Sequence, residues 1–172
     1  MVQLRHKSLA RGELIALARA LRPVAGDRLL IVNDHVDIAL ISGADGVHLG
    51  PDDLSIESAR RVAGDNLLIG ASAGSLLAAR AAIAAGADYI GCGAVFATPI
   101  KQDKAVIGPA GVAAVAGGLG QDVPVFAIGG IDESNLGRVI AAGVRRACVI
   151  RAVSEAADPE QATRRLRAML ET

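Results

Sequence analysis

Aromatic side chains are almost missing from this 172-residue sequence, which holds no tryptophan, one tyrosine and two phenylalanines. That scarcity argues against the base-stacking surfaces of single-stranded nucleic-acid binders. An excess of either charge is missing too, since Lys plus Arg and Asp plus Glu stand at 18 each. No global field draws the chain to nucleic acid or to a membrane surface, so any anion site is built locally. Cysteine is limited to Cys92 and Cys148. Both fall in predicted strands without a metal-type spacing, and they read as small reduced core residues of a cytoplasmic protein. No apolar run approaches the roughly 20 residues of a spanning helix, and nothing at the N-terminus has the form of a signal peptide. Histidine is scarce as well: His6, His35 and His48 are scattered, match no ligand pattern such as His-Glu-x-x-His, and read as surface or loop residues.

Aliphatic residues are what the chain has in abundance, at 52% hydrophobic against 21% charged. This is enough for one compact domain over residues 1–172. Short aliphatic runs alternate with amphipathic stretches. Strands are predicted over residues 1–5, 28–33, 46–49, 67–71, 89–93, 123–128 and 147–150. Helices are predicted over 9–21, 36–42, 56–63, 76–85, 109–116, 133–142 and 159–170. Ser8 and Asp158 are the expected caps of the first and last helices, and Pro23 the stop of the first. A joint recurs between helix and strand, at Gly43-Ala44-Asp45, Gly86-Ala87-Asp88 and Gly143-Val144-Arg145. Continuous apolar strands separated by helices imply a parallel sheet covered on both faces. A flavodoxin-like or Rossmann sheet uses fewer strands and puts its glycine-rich turn after the first one. Here the pair Gly129-Gly130 comes late, as barrels place it. The expected fold is therefore a TIM (β/α)8-type barrel that lacks its first βα unit.

In a parallel sheet the carboxyl ends of the strands share one rim, and active sites gather there. The residues at these ends are Gln3, Arg5 and Lys7 after the first strand, Asn33 and Asp34 after the second, and Asp53 after the third. Then come Ser72, Thr98 with Lys101 in the long irregular segment 94–108, Gly129-Gly130, and Ile150-Arg151. Gln3, Arg5 and Lys7 alternate with period two, so they share a face while the chain is extended. Asp34 and Asp53 follow adjacent strands and are expected to converge. Each has a second reading as a cap, Asp34 for the helix from 36 and Asp53 for the helix from 56. Magnesium takes one or two carboxylates plus substrate phosphates, and Arg5, Lys7 and Lys101 would bind those phosphates. Glycines at a strand-to-helix turn let backbone N–H groups approach a phosphate. No Ser–His or Cys–His nucleophile arrangement is evident.

The ordered set Gln3-Leu-Arg-His-Lys7, Val32-Asn-Asp34, Gly46-Val-His-Leu-Gly-Pro-Asp-Asp53, Gly70-Ala-Ser72, Gly86-Ala-Asp-Tyr-Ile-Gly-Cys-Gly-Ala-Val-Phe-Ala-Thr-Pro-Ile-Lys101 and Ala127-Ile-Gly-Gly-Ile131 resembles the thiamin phosphate synthase family of (β/α)8 barrels. The resemblance implies a transferase that joins hydroxymethylpyrimidine diphosphate to thiazole phosphate and releases pyrophosphate. By it, Gln3 contacts the pyrimidine, while Arg5, Lys7, Asn33, Ser72 and Lys101 hold the diphosphate, Ser72 and Lys101 being the catalytic pair. Asp34 and Asp53 bind the magnesium ion, Mg2+. Thr98, Gly129, Gly130, Ile150 and Arg151 face the thiazole phosphate.

The chain departs from the family pattern at several points. Ile100 stands where a second threonine is frequent, Arg151 where a serine is common, and His6 where an acid is frequent. The family's first strand and helix have no counterpart, which would leave strand edges that a second copy of the chain covers in a homo-oligomer. Two further functions stay open. One is a thiazole tautomerase, whose histidine position is Gly74 here; the other is a non-catalytic phosphate-ligand binder.

Overall fold

The computed structural model describes residues 1–98 and 105–172. Strands and helices alternate: β1 (Val2–Leu4), α1 (Arg11–Ala25), β2 (Leu30–Asn33), α2 (Val36–Ser42), β3 (Gly46–Leu49), α3 (Ile56–Ala63), β4 (Leu68–Ala73), α4 (Leu76–Ala84), β5 (Tyr89–Cys92), α5 (Gly108–Leu119), β6 (Val125–Ile128), α6 (Leu136–Ala141), β7 (Ala147–Cys148), α7 (Arg151–Ser154) and α8 (Pro159–Glu171). Among the described residues the strands number seven, as the sequence led us to expect, and every described pairing is parallel. The fold class is α/β, of the TIM-barrel type. The chain divides into two compact units, Met1–Ser72 with Ala82–Asp88, and Ala73–Ala81 with Tyr89–Thr172.

In the first unit, β1 to β4 pair in sequence order, and their register separates two faces. Leu4, Val32, Val47 and Ile69 lie in one row across the strands. They are all buried and pack with Leu14 and Ala18 of α1, Ile38 and Ala39 of α2, and Ala59 and Ala63 of α3. That apolar layer is the core of the unit. Alternation sends the next residues to the other face, where Gln3, Ile31, Gly46 and Leu68 form one row and Asn33, His48 and Gly70 the next. The polar side chains of the strands lie on this second face.

The strand starts are fastened by a repeated ionic clamp. Asp45 follows α2 in the joint Gly43-Ala44-Asp45, and its Oδ2 accepts the Leu30 N–H at 2.6 Å and an ion pair from Arg22 of α1. Arg22 also donates to the carbonyls of Gly26 and Arg28, at 2.8 and 2.9 Å. Two βα units later, Oδ2 of Asp88 accepts the Ile69 N–H at 2.7 Å and Arg60 at 2.6 Å. Arg60 in turn reaches the carbonyls of Gly64, Leu67 and Gly86. Burial raises the Asp45 pKa, but the Leu30 N–H and Arg22 outweigh it and hold the carboxyl below its ordinary value. The clamp is thus fully formed at neutral pH. The third joint, Gly143-Val144-Arg145, carries no acid and cannot repeat it.

In the second unit, β5, β6 and β7 pair through Ile90 with Val125, Cys92 with Ala127, and Ile128 with Cys148. Tyr89 and Phe126 meet edge to face at 5.6 Å between ring centroids. Both cysteines are free, as expected; burial pushes the Cys92 thiol up to about 11 and also raises Cys148.

Helix ends differ from expectation where local chemistry competes. The first helix opens at Arg11 rather than residue 9. His6 Nδ1 takes the Leu9 N–H at 3.1 Å, and Glu13 takes the Ala10 N–H at 3.1 Å, so Ala10 rather than Ser8 is the N-cap residue. Pro23 lies inside the last turn of α1, which closes at Gly26 with φ 56°. The last strand is shorter than residues 147–150, because the Ile150 carbonyl accepts the N–H groups of Val153 and Ser154 and starts the single turn α7. Asp158 caps α8 as expected, through the Gln161 N–H at 2.9 Å.

Two glycines test this packing with opposite signs. A Cβ at Gly117, inside α5, meets nothing within 4 Å, so Gly117→Ala is expected to raise stability by about 0.5–1 kcal/mol. A Cβ at Gly46 would stand 2.5 Å from the Leu68 carbonyl oxygen and 2.8 Å from Ile31 Cδ1, so Gly46→Ala is expected to cost about 1–3 kcal/mol. Urea unfolding of the two variants checks both; equal midpoints would contradict this account of the first sheet.

Candidate active site

Parallel pairing of β2 with β3 carries their carboxyl ends side by side, and Asp34 and Asp53 follow those ends. The two side chains are near enough that Asp53 acts on the Asp34 carboxyl. Neither serves as a helix cap. The N-cap of α2 is His35, and the N-cap of α3 is Ser55, whose hydroxyl accepts the Ser58 N–H at 3.2 Å. Asp53 instead closes its own loop, with Oδ2 accepting the Gly50 N–H at 2.7 Å. Asp34 is the one non-glycine residue with positive φ among the described residues, at 68°. A short polar side chain tolerates that conformation better than most, but it is a costly one, and the Asp34 N–H spends itself on the His48 carbonyl at 2.9 Å.

The electrostatics are those of two acids sharing one place. Burial raises the Asp34 pKa, and the hydrogen bond and charge of Asp53 raise it further; Lys7 and His35 lie close enough to offset part of this. Two carboxyl groups in contact require a proton or a cation between them. Hard oxygen donors suit magnesium, which keeps waters and takes its remaining ligands from substrate phosphates. Among the described residues no group of three or more His, Cys, Asp and Glu side chains that could hold a metal ion stands together.

The other expected residues of the first unit lie near this rim. Gln3 is half-buried in β1, on the face away from the helices, and Asn33 ends β2 on the same face. Arg5 is half-buried and Lys7 exposed, both beyond the last residue of β1, so period-two alternation covers Gln3 alone. Ser72, near the end of β4, is half-buried and bonded to His48 Nε2 at 3.0 Å. Histidine and serine here depart from expectation in two ways. His48 is not a surface or loop residue but lies 9% exposed within β3, and a Ser–His contact does exist. The register shows why: Gly70 stands opposite His48, and Gly46 precedes it on the same face, so the imidazole has room that neither neighbour fills. Val47 and Leu49 flanking His48 in a strand were the signal available in the sequence.

In the second unit, Gly129 and Gly130 follow β6 with φ 106° and 64°. The backbone of residues 94–97 runs against them: the Phe96 N–H donates to the Gly129 carbonyl at 2.9 Å, and a Cβ on Gly130 would meet the Ala97 oxygen at 2.6 Å. Arg138 of α6 lies over the Phe96 ring, 5.2 Å from its centroid. Thr98 is half-buried at the end of this segment. Ile150 is the exposed N-cap residue of α7, and Arg151 pairs with Glu155 at 3.8 Å on the surface. Lys101 and Ile100 lie outside the described residues.

Comparison with known proteins bears on the family and the fold. A family model described as thiamine monophosphate synthase matches residues 1–153. A thiamine-phosphate synthase of Gloeobacter violaceus is 47% identical over 95% of the chain, and one of Anaeromyxobacter dehalogenans is 44% identical over 99%. The chain spans 48% of the length of the first and 77% of the second. The solved structure of a thiamine phosphate pyrophosphorylase from Pyrococcus furiosus superposes with a TM-score of 0.90 at 42% identity, over 98% of this chain and 81% of that one. These matches favour the transferase of thiamin biosynthesis over the tautomerase. No helix among the described residues is long and apolar enough to cross a membrane.

The contact between the acids carries a test on stability alone. A carboxyl raised above its ordinary 3.8 leaves the folded state fully stabilised below that pH and costs stability as pH rises through the raised value. Asp34→Asn removes that cost and keeps a side chain suited to positive φ. In a chelator, the variant is expected to melt higher than the parent at pH 7 and alike at pH 3.5. A parent at least as stable as the variant at pH 7 would mean that the acids do not meet.

Proposed function

The chain belongs to the thiamine monophosphate synthase family, and on that premise we propose that it joins hydroxymethylpyrimidine diphosphate to thiazole phosphate with magnesium-dependent release of pyrophosphate. The observation that carries this reading is that Asp34 and Asp53 follow the ends of the adjacent parallel strands β2 and β3, where Asp53 and Lys7 both act on the Asp34 carboxyl. Asp34 and Asp53 are the residues that would hold magnesium. Bound there, the ion supplies positive charge against the departing pyrophosphate.

The remaining roles fall to the chain's own groups. Arg5 and Lys7 bind the diphosphate, and with Lys101 they neutralise the negative charge that grows on it as the carbon–oxygen bond breaks. Asn33 and Ser72 orient it by hydrogen bonds, and Gln3 holds the pyrimidine, whose ring stabilises the cation left behind. The thiazole nitrogen then attacks that carbon directly, so the Ser72 hydroxyl acts as a ligand and not as a nucleophile. The glycine turn at Gly129 and Gly130 offers backbone N–H groups to the thiazole phosphate, with Thr98 beside it and the Ile150-Arg151 backbone as a further donor. Two free cysteines and the absence of a membrane-length helix among the described residues fit a cytoplasmic location.

The test is a pyrophosphate-release assay on the purified chain with both substrates, with magnesium and with chelator. Release is expected only with the metal. Asp53→Asn and Asp34→Asn are each expected to lower turnover about 10²-fold or more while the protein stays folded. Full magnesium-dependent turnover in either folded variant would remove that acid from the site. No pyrophosphate from the parent with both substrates and metal would end the synthase reading.

A further inference from the structure

We infer that His48 is a positioning residue whose Nε2–H donates to Ser72 Oγ and so leaves the Ser72 hydroxyl proton for the diphosphate of the bound substrate. This rests on the function proposed above. The geometry is direct: Nε2 lies 3.0 Å from Oγ, and the pair stands on the same face of the sheet as Asn33 and Gln3. The backbone of the same residue works on the neighbouring strand, since the His48 carbonyl accepts the Asp34 N–H at 2.9 Å. One buried residue of β3 thus ties together the turn that carries an acid of the metal pair and the hydroxyl on β4.

The direction of the hydrogen bond follows from what each group can give. Diphosphate oxygens only accept, so a hydroxyl that binds them must give them its single proton. Had Ser72 donated to His48, its oxygen would face the diphosphate with lone pairs against negative charge. With Nε2 as donor, the hydroxyl accepts from His48 and donates to the ligand. The same assignment removes His48 as a base for Ser72, because a protonated nitrogen cannot take the hydroxyl proton. The Ser–His contact is therefore a binding device and not a nucleophile in the making.

Two measurements test the assignment. The first is a double-mutant cycle on kcat/KM for hydroxymethylpyrimidine diphosphate at saturating thiazole phosphate. Ser72→Ala is expected to lower it about tenfold, His48→Leu by a similar factor, and the double variant by no more than about twofold beyond Ser72→Ala. His48→Gln, whose amide restores a donor near the Nε2 position, is expected to recover activity to within about threefold of the parent in the serine background, and to give no gain over His48→Leu in the alanine background. A purely structural histidine would show multiplying losses and no dependence on Ser72; either result, in folded variants, overturns the inference. The second measurement is the nitrogen-15 shift of the His48 ring in the parent. It is expected to report a protonated Nε2, and a bare Nε2 overturns the inference even if the chain makes no pyrophosphate. Loss of pyrophosphate release in the parent, with Nε2 protonated, would instead count against the synthase reading and, with it, against the role assigned to the free Ser72 proton.

Discussion

The ion pairs Arg22–Asp45 and Arg60–Asp88 set the starts of β2 and β4, and the positions of the residues farther along those strands follow from them. Each acid takes a strand's first free N–H while its arginine gathers carbonyls from the preceding turn, so chain entry into the sheet is fixed by several charged hydrogen bonds at once. Because parallel strands have no tight turn to set their register, something else must set it. A slip of one residue would send Asn33 and His48 to the helix-packed face and Val32 and Val47 to the polar one. The clamps and the apolar row Leu4, Val32, Val47, Ile69 exclude that slip together.

Functional groups inherit this order with little freedom of their own. Asp34 and Asp53 meet because β2 and β3 end side by side, and their contact is unfavourable between like charges unless a proton or cation joins them. A positive-φ aspartate, a second acid that raises its pKa and a histidine buried against a hydroxyl all lie toward the carboxyl ends of β2, β3 and β4. At the other end of the same strands, Asp45 and Asp88 are paired with arginines. The two sets of acids differ in their partners, not in their residue type.

Several particulars were readable from residues alone. The limits of α2, β3 and α3 agree with the spacing of their apolar residues, and the cap of α8 with Asp158 before Pro159. Adjacent parallel strands implied that Asp34 and Asp53 converge although they are far apart in sequence. Other features were illegible for physical reasons. The N-terminus of α1 depends on His6 taking the Ser8 and Leu9 N–H groups and Glu13 taking that of Ala10, acceptors that no cap pattern at Ser8 announces. The end of the last strand depends on which N–H groups the Ile150 carbonyl accepts. The arginine halves of the clamps stand 23 and 28 residues before their acids, with no local pattern linking them.

What the sequence determined by itself is the order and type of elements and the family that their ordered motifs resemble. These depend on spacing, and spacing is written along the chain. Which side chains touch was decided only by the tertiary structure. His48 and Ser72 are 24 residues apart, and nothing between them predicts a hydrogen bond. It forms because β3 and β4 pair in a register that puts Gly70 opposite the imidazole, and register is a property of the assembled sheet and not of either strand.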